Sequence, residues 1–435
     1  MRRVLGSPDP ENEPPTAPFA DALKLVSDAT ENTYMAPLAP EIMYALGYTD
    51  LEVPMGHIDT MIISARHGPE EILWNLADHF AIQRGQEVAV INPVGHYKDV
   101  EARVLGPRKL FHTVDTAVFL TSTQHMYGGS MSVLIDTMSL LRNEDFTSKI
   151  NKVAIVIPMF GGSRGHRPGQ AKEIGYEVLQ ADTIPKSLSA IANDILADPR
   201  LQKIANLPQI SFYSVDIHNK DLPGSTFESR DFEFISIGPE SQFAQAIRRE
   251  INEQMLYGTP IRLVAVDGGA LERTEALAAQ ILLQGANGYR TIDIIEIEKH
   301  RITAGEVASA EVKSVIRMSL DGGKIETERL DINALDLKEE FIRVTSDDML
   351  DTGKSAKKDD VLLDQIMPRS VLKISVVTHP IVSEGLSPAL DNTGSDVVIV
   401  GNTLTNPELY RDHKHRVRVV DLAPAIGDSL FAQIS

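Results

Sequence analysis

The sequence predicts an α/β protein made of two tandem, mainly parallel sheets flanked by helices, and three observations predict it. Short runs rich in valine and isoleucine recur without the polar alternation of a sheet that has one wet face. Longer stretches with the apolar spacing of a helix lie between these runs. The strand–helix rhythm is also played twice along 435 residues, a length that at roughly 150 residues per domain suits two large domains.

Residues 1–57 stand apart from that rhythm. Pro8, Pro10, Pro14, Pro15 and Pro18 crowd the start, and proline interrupts both helix and sheet. Only 20–27 and 40–46 have the composition of short helices, so this segment reads as a proline-rich extension. A first domain over 58–238 has strand candidates at 61–64, 87–91, 117–121, 153–157 and 211–215. Its helix candidates are 70–81, 132–141 and 187–196. A second domain over 239–435 has strand candidates at 262–266, 291–297, 341–345, 372–377, 397–400 and 417–420. Helices are expected there at 241–255, 272–283 and 424–433. The rhythm breaks at about 302–340, where apolar-rich runs at 312–320 and 324–330 flank Asp321, Gly322 and Gly323. Asp-Gly-Gly between two such runs is the chemistry of a tight hairpin turn, so an inserted ribbon is predicted.

Charge and composition exclude several functions. Lys and Arg total 42 against 61 Asp and Glu, a net charge of −19. That balance disfavours general binding to nucleic acid or to an anionic membrane, while leaving room for a local basic pocket. There is no cysteine, which removes disulfides, thiolate nucleophiles and cysteine-based metal sites. No apolar run approaches the ~18 residues that span a bilayer, and MRRVLGSPDPENEPP lacks the apolar stretch of a secretory signal. A cytoplasmic protein is the expectation.

The most informative segment is 341–355, FIRVTSDDMLDTGKS. An apolar strand runs into Asp347 and Asp348, and Asp351, Thr352, Gly353, Lys354 and Ser355 then lead into a helix. Two adjacent carboxylates at a strand's end can accept hydrogen bonds from the neighbouring hydroxyls of a ribose. A turn of Gly and hydroxyl residues at a helix N-terminus offers backbone N–H groups to a phosphate. The spacing suits a sugar phosphate; the plainer alternative is a solvated acidic turn that caps a helix.

The segment resembles the phosphoribosyl pyrophosphate (PRPP) loop of type I phosphoribosyltransferases and of ribose-phosphate diphosphokinases, the PRPP synthetases. A transferase needs only one such domain, and the chain from about Ile58 resembles a diverged PRPP synthetase throughout. AVFLTST from Ala117, IVIPMFGGSR ending at Arg164, SVDIH ending at His218, DGGA from Asp267, THP from Thr378 and GNT from Gly401 follow that family's order. The resemblance implies two tandem type I phosphoribosyltransferase-like domains and the transfer of a diphosphoryl group from ATP to ribose 5-phosphate, giving PRPP and AMP. It implies Mg²⁺ held at His218 and Asp267, although histidine is an unusual ligand for an ion that prefers oxygen. It assigns ATP contacts to Arg164 and to Tyr97, Asp99 and Glu101, where Tyr97 would stack on the base and an acid would accept from an exocyclic amine. It gives ribose-phosphate binding to Asp347, Asp348 and residues 351–355. Lys299 and Arg301 match two cations of a catalytic loop that neutralises phosphoryl oxygens as the leaving bond lengthens. A homo-oligomer, with dimers within larger rings, follows from the resemblance alone.

The chain also departs from that pattern. Gly165, His166 and Arg167 stand where the family carries Gln-Asp and a basic residue, and His300 replaces the middle cation between Lys299 and Arg301. Lys354 occupies a place where the family prefers small residues; it is expected to point into the turn, where it would add a charge-assisted contact to a phosphate. Two alternatives therefore stay open: a diphosphokinase with another ribosyl-phosphate acceptor or nucleotide donor, and a non-catalytic regulatory paralogue of an active synthetase.

Overall fold

The computed structural model describes residues 57–64, 70–86, 88–91, 94–96, 102–104, 113–121, 130–160, 180–217, 232–266, 269–285, 288–303, 306–331, 335, 339–404 and 407–434. The extension ahead of His57 lies outside them. The fold class is the predicted one, with two mainly parallel sheets flanked by helices. The chain divides into two compact units, one running to Ile237 and taking in Ile426–Ser435, the other running from Gly238 to Ala425.

The first unit opens with β1 (His57–Ser64), α1 (Glu70–Asp78), whose end widens into a π-helical turn at His79–Gln83, and β2 (Val88–Ile91). A small antiparallel ribbon of β3 (Val94–His96) and β4 (Ala102–Val104) precedes β5 (Thr113–Leu120). Then follow α2 (Ser130–Met138), α3 (Glu144–Thr147), β6 (Ile150–Ile157), α4 (Gln180–Leu196), β7 (Gln209–Val215) and β8 (Phe232–Ile237). The sheet order is β2-β1-β5-β6-β7-β8 and every pairing is parallel. Leu188, Ala192 and Ile195 of α4, at spacings of one helical turn, pack on Val153, Ile155, Ile210 and Phe212 of the sheet. Each fully buried aliphatic or aromatic side chain there is worth about 1.5–3 kcal/mol. The sequence reading missed β8, an edge strand whose Glu233 and Ser236 break the continuous apolar run that marks its neighbours.

The second unit begins with α5 (Glu240–Glu253), β9 (Ile261–Ala265) and α6 (Leu271–Leu283). The long strands β10 (Thr291–Thr303) and β11 (Glu306–Asp321) and the shorter β12 (Lys324–Leu330) follow. Then come β13 (Phe341–Leu350), α7 (Lys354–Ile366), β14 (Ser370–Pro380), α8 (Leu386–Thr393), β15 (Val397–Gly401) and β16 (Val417–Val420), after which α9 (Ala423–Ile434) starts in this unit and continues in the first. The order is β12-β11-β10-β9-β13-β14-β15-β16, with the β10–β11 and β11–β12 pairings antiparallel and the rest parallel. The predicted hairpin turn is present: Asp321 pairs with Lys324 across Gly322 and Gly323, whose φ values of 54° and 83° only glycine adopts freely. The ribbon is no separate insert, because β11 pairs with β10 from Ser319↔Thr291 to Glu306↔Thr303 and the hairpin widens the sheet.

One boundary needs correcting. The sequence reading gave all of 239–435 to the second domain, but residues from Ile426 onward group with the first unit. There His79 Nε2 lies 3.1 Å from Asp428 Oδ1, Arg84 binds the same carboxylate, and its guanidinium stacks 4.5 Å over Phe431. A Cβ at Gly427 would collide with the His79 ring, so glycine allows this close approach. Conversely α5, which follows β8, belongs to the second unit, where Arg418 Nε on β16 meets the buried Glu250 Oε2 at 2.8 Å. Among the described residues no helix is long and apolar enough to cross a membrane.

Candidate functional site

In the second sheet the strand order reverses between β9 and β13. Open α/β sheets hold ligands at the carboxyl ends of strands beside such a point, where the connecting loops diverge to opposite faces. The segment singled out from the sequence lies there.

β13 runs further than its apolar pattern predicts. It pairs with β9 only as far as Thr345↔Val264, but with β14 as far as Leu350↔Pro380. Asp347 and Asp348 therefore sit inside the strand, in the part that overshoots β9, and not in a loop after it. Successive strand residues face opposite sides, so Asp347 is exposed and Asp348 is buried at 5 % exposure. Asp347 Oδ1 also accepts the Asp348 N–H at 2.9 Å. The two carboxylates are thus not presented side by side, as adjacency in the sequence suggested; the one facing solvent is Asp347.

The turn at 351–353 is held from three directions. Asp351 Oδ1 accepts from the Ser383 N–H at 3.0 Å and from the Ser383 hydroxyl, tying the turn to the loop after β14. The Thr352 carbonyl accepts from Asn392 Nδ2 of α8 at 2.9 Å. Gly353 has φ 70°, and a Cβ there would meet the Ala389 carbonyl oxygen at 2.5 Å. Glycine is required both by conformation and by contact. Beneath the turn, the buried Arg343 of β13 binds Asp360 and Asp364 of α7, the latter at 2.8 Å, and Lys373 Nζ of β14 reaches Asp364 at 2.6 Å. Burial works to raise the Asp364 carboxyl, but the Lys373 hydrogen bond and the Arg343 charge outweigh it and hold it below its usual range. α7 is thereby fixed against the sheet and its first N–H groups, which lack intrahelical partners, are fixed with it.

The loop after β14 is equally ordered. The Leu350 carbonyl accepts from the N–H groups of both Ile381, at 2.8 Å, and Val382, at 3.1 Å. Lys354, expected to point into the turn, instead reaches outward to Glu384, with Nζ 3.1 and 3.2 Å from its two carboxylate oxygens. Ser355 is exposed. Below, the sequence landmarks on β14 and β15 meet: His379 Nδ1 lies 2.9 Å from Thr403 Oγ1, whose own hydrogen goes to the Thr378 carbonyl at 3.1 Å. A hydroxyl has one hydrogen, so it is His379 Nδ1–H that donates to Thr403 Oγ1.

The other expected residues are placed less fully. Lys299 and Arg301 were expected in a loop after a strand ending at 297; their backbones continue β10 and pair with Ala310 and Val307 of β11. Tyr97, Asp99, Glu101, Arg164, His218 and Asp267 lie outside the described residues. Tyr97, Asp99 and Glu101 belong to the link between β3 and β4, while His218 and Asp267 follow the described carboxyl ends of β7 and β9. No group of three or more acidic or histidine side chains able to hold a metal occurs among the described residues. Ser383, Glu384 and Asn392 were missed, since each meets the turn only after 30–40 residues of sheet and helix close the distance.

No family model matches the chain, and no curated protein matches it by sequence. Among solved structures, a phosphoribosylpyrophosphate synthetase from Mycobacterium smegmatis matches with a TM-score of 0.54 at 17 % identity, over 86 % of this chain and 98 % of that one. A hypoxanthine phosphoribosyltransferase from Staphylococcus aureus matches with a TM-score of 0.20 at 18 % identity, over 40 % of this chain and 84 % of that one, which constrains nothing further. The fold is therefore PRPP synthetase-like, with two tandem domains of the type I phosphoribosyltransferase kind.

Proposed function

We propose that this chain is a ribose-phosphate diphosphokinase. The observation that carries the reading is the turn at 351–353, held at a switch point between a strand bearing Asp347 and the N-terminus of α7. A 5-phosphate would sit at the start of α7, and the exposed Asp347 would accept from a ribose hydroxyl, with Asp348 and Asp351 holding the backbone that aims it. Asp351 is in this reading a positioning residue, since Ser383 occupies one of its oxygens.

The anomeric hydroxyl attacks the β-phosphorus of ATP in line. A carbon-borne oxygen–phosphorus bond forms, the bond to the α–β bridging oxygen breaks, AMP leaves, and the hydroxyl proton passes to solvent. Lys299 and Arg301 would neutralise charge as it gathers on the leaving oxygens. Tyr97, Asp99, Glu101 and Arg164 would hold the nucleotide. Bound Mg²⁺ would screen the diphosphate; the Asp267 carboxylate suits it as a hard oxygen donor, whereas His218 fits less well. Assembly as a homo-oligomer belongs to the same reading.

The test is direct: incubate the protein with Mg²⁺, ATP and ribose 5-phosphate and look for AMP and PRPP in equal amounts. Products formed only with a bulkier ribosyl phosphate or another nucleotide would replace the acceptor or donor, and no turnover with any of them would overturn the reading.

A further inference from the structure

The ion pair between Lys354 and Glu384 joins the two loops that border the turn, and both side chains are more than half exposed, at 65 % and 54 %. Neither loop needs it for support, because Asp351 already ties them through Ser383, and Asn392 and Gly353 lock the turn to α8. An exposed pair of this kind is worth about 0–1 kcal/mol, so it opens at little cost. Lys354 is the first residue of α7, with its backbone N–H leaning only weakly, at 3.4 Å, on Thr352 Oγ1. An anion at the start of that helix would lie within the reach of a flexible lysine and would offer more charge than one carboxylate.

We propose that Glu384 is a built-in competitor for the phosphate-binding lysine: its carboxylate holds Lys354 when the turn is empty and yields it to the phosphate of an incoming sugar phosphate. Glu384 thereby sets how strongly the site holds phosphate groups, weakening free phosphate and acceptor alike. This inference rests on the reading of 351–355 as the phosphate turn. It deepens that reading by naming a residue that sets the affinity of the site for phosphate.

Titration calorimetry with inorganic phosphate, and separately with ribose 5-phosphate, tests it on the full chain in low salt. Glu384→Gln should bind both about two- to fivefold more tightly, since the lysine no longer has to leave its pair. Lys354→Gln should bind both more weakly, and the double variant should match Lys354→Gln, because Glu384 acts only through the lysine. The gain in Glu384→Gln should shrink as salt rises. Unchanged constants in Glu384→Gln, or a gain that persists in the double variant, would overturn the proposal. The AMP and PRPP assay separates the two levels: a protein that makes PRPP while Glu384→Gln binds phosphate like the parent keeps its function and loses this inference. Tighter phosphate binding without PRPP formation keeps the competitor and rejects the diphosphokinase.

Discussion

The two sheets repeat one plan and differ in what is fastened to it. In each, the second strand lies outside the first, a ribbon follows, and four further parallel strands extend the other way. In the first unit the ribbon is two strands of three residues that stay apart from the main sheet. In the second it has grown to strands of 16 and 7 residues that join the sheet edge. The third strands differ in kind. β5 ends in Phe119 and Leu120, buried like Thr121 after them, whereas β13 carries Asp347 and Asp348 into an overshoot and hands over to a locked turn. The difference teaches that the parallel frame is neutral toward chemistry. In the second unit the expected site residues that are described lie at the carboxyl end of β13, in the turn after it, and at the end of β10 where the long hairpin starts.

The largest expected effect tests whether the second copy depends on its charged underpinning. Arg343→Met leaves Asp360 and Asp364 with Lys373 alone, and removing one partner of a buried pair costs roughly 3–5 kcal/mol. Denaturant unfolding followed by circular dichroism should show this loss. The fluorescence of Trp74, the single tryptophan and part of the first unit, should move less. Next comes β10: Lys299→Ala should lower turnover about 10²–10³-fold while ATP binding measured by calorimetry stays near the parent's. Full turnover in that variant would remove β10 from the chemistry.

Two matched glycines sharpen the contrast. Gly353→Ala meets both a left-handed backbone and the Ala389 carbonyl, so roughly 2–4 kcal/mol of stability should be lost. Gly85→Ala in the first unit has a similar φ of 65° and open space around it, and should cost only about 1 kcal/mol. Equal midpoints for the two would show that the packing against α8 is unimportant. The smallest effect is a pH dependence. The Asp364 carboxyl lies below its ordinary value in the folded protein, so its contribution is intact above the unfolded carboxylate pKa of about 3.9 and fades as pH falls through the folded value. Unfolding midpoints measured from pH 6 down to pH 3 should drop less steeply in Asp364→Asn than in the parent.

Much of this fold was legible in the sequence because parallel strands buried on both faces leave continuous apolar runs, and the Asp-Gly-Gly turn announces its own hairpin. The eight-residue helix α8 was not legible, since Pro388, Asp391 and Asn392 leave too few turns for a period to show. At the site, 347–355 stood out as a local pattern, but the division of Asp347 from Asp348 depends on how far β14 carries the ladder past β9. Lys354 was misjudged for a related reason. Its partner is 30 residues away, and a glutamate in a loop gives no local sign of what it faces.

The exchange of end helices bears on the order in which the protein can be made. A chain leaving the ribosome exposes β1 to β8 first, yet the segment that seats Asp428 against His79 and Arg84 belongs to residues after Ile426. Roughly 190 residues of the second unit are translated in between, which at about 5–20 residues per second is a wait of some tens of seconds. The unit that emerges first is therefore completed last. Until then His79 and Arg84 lack the carboxylate of Asp428, and a ribosome that stalls late would leave the first half, rather than the second, unfinished.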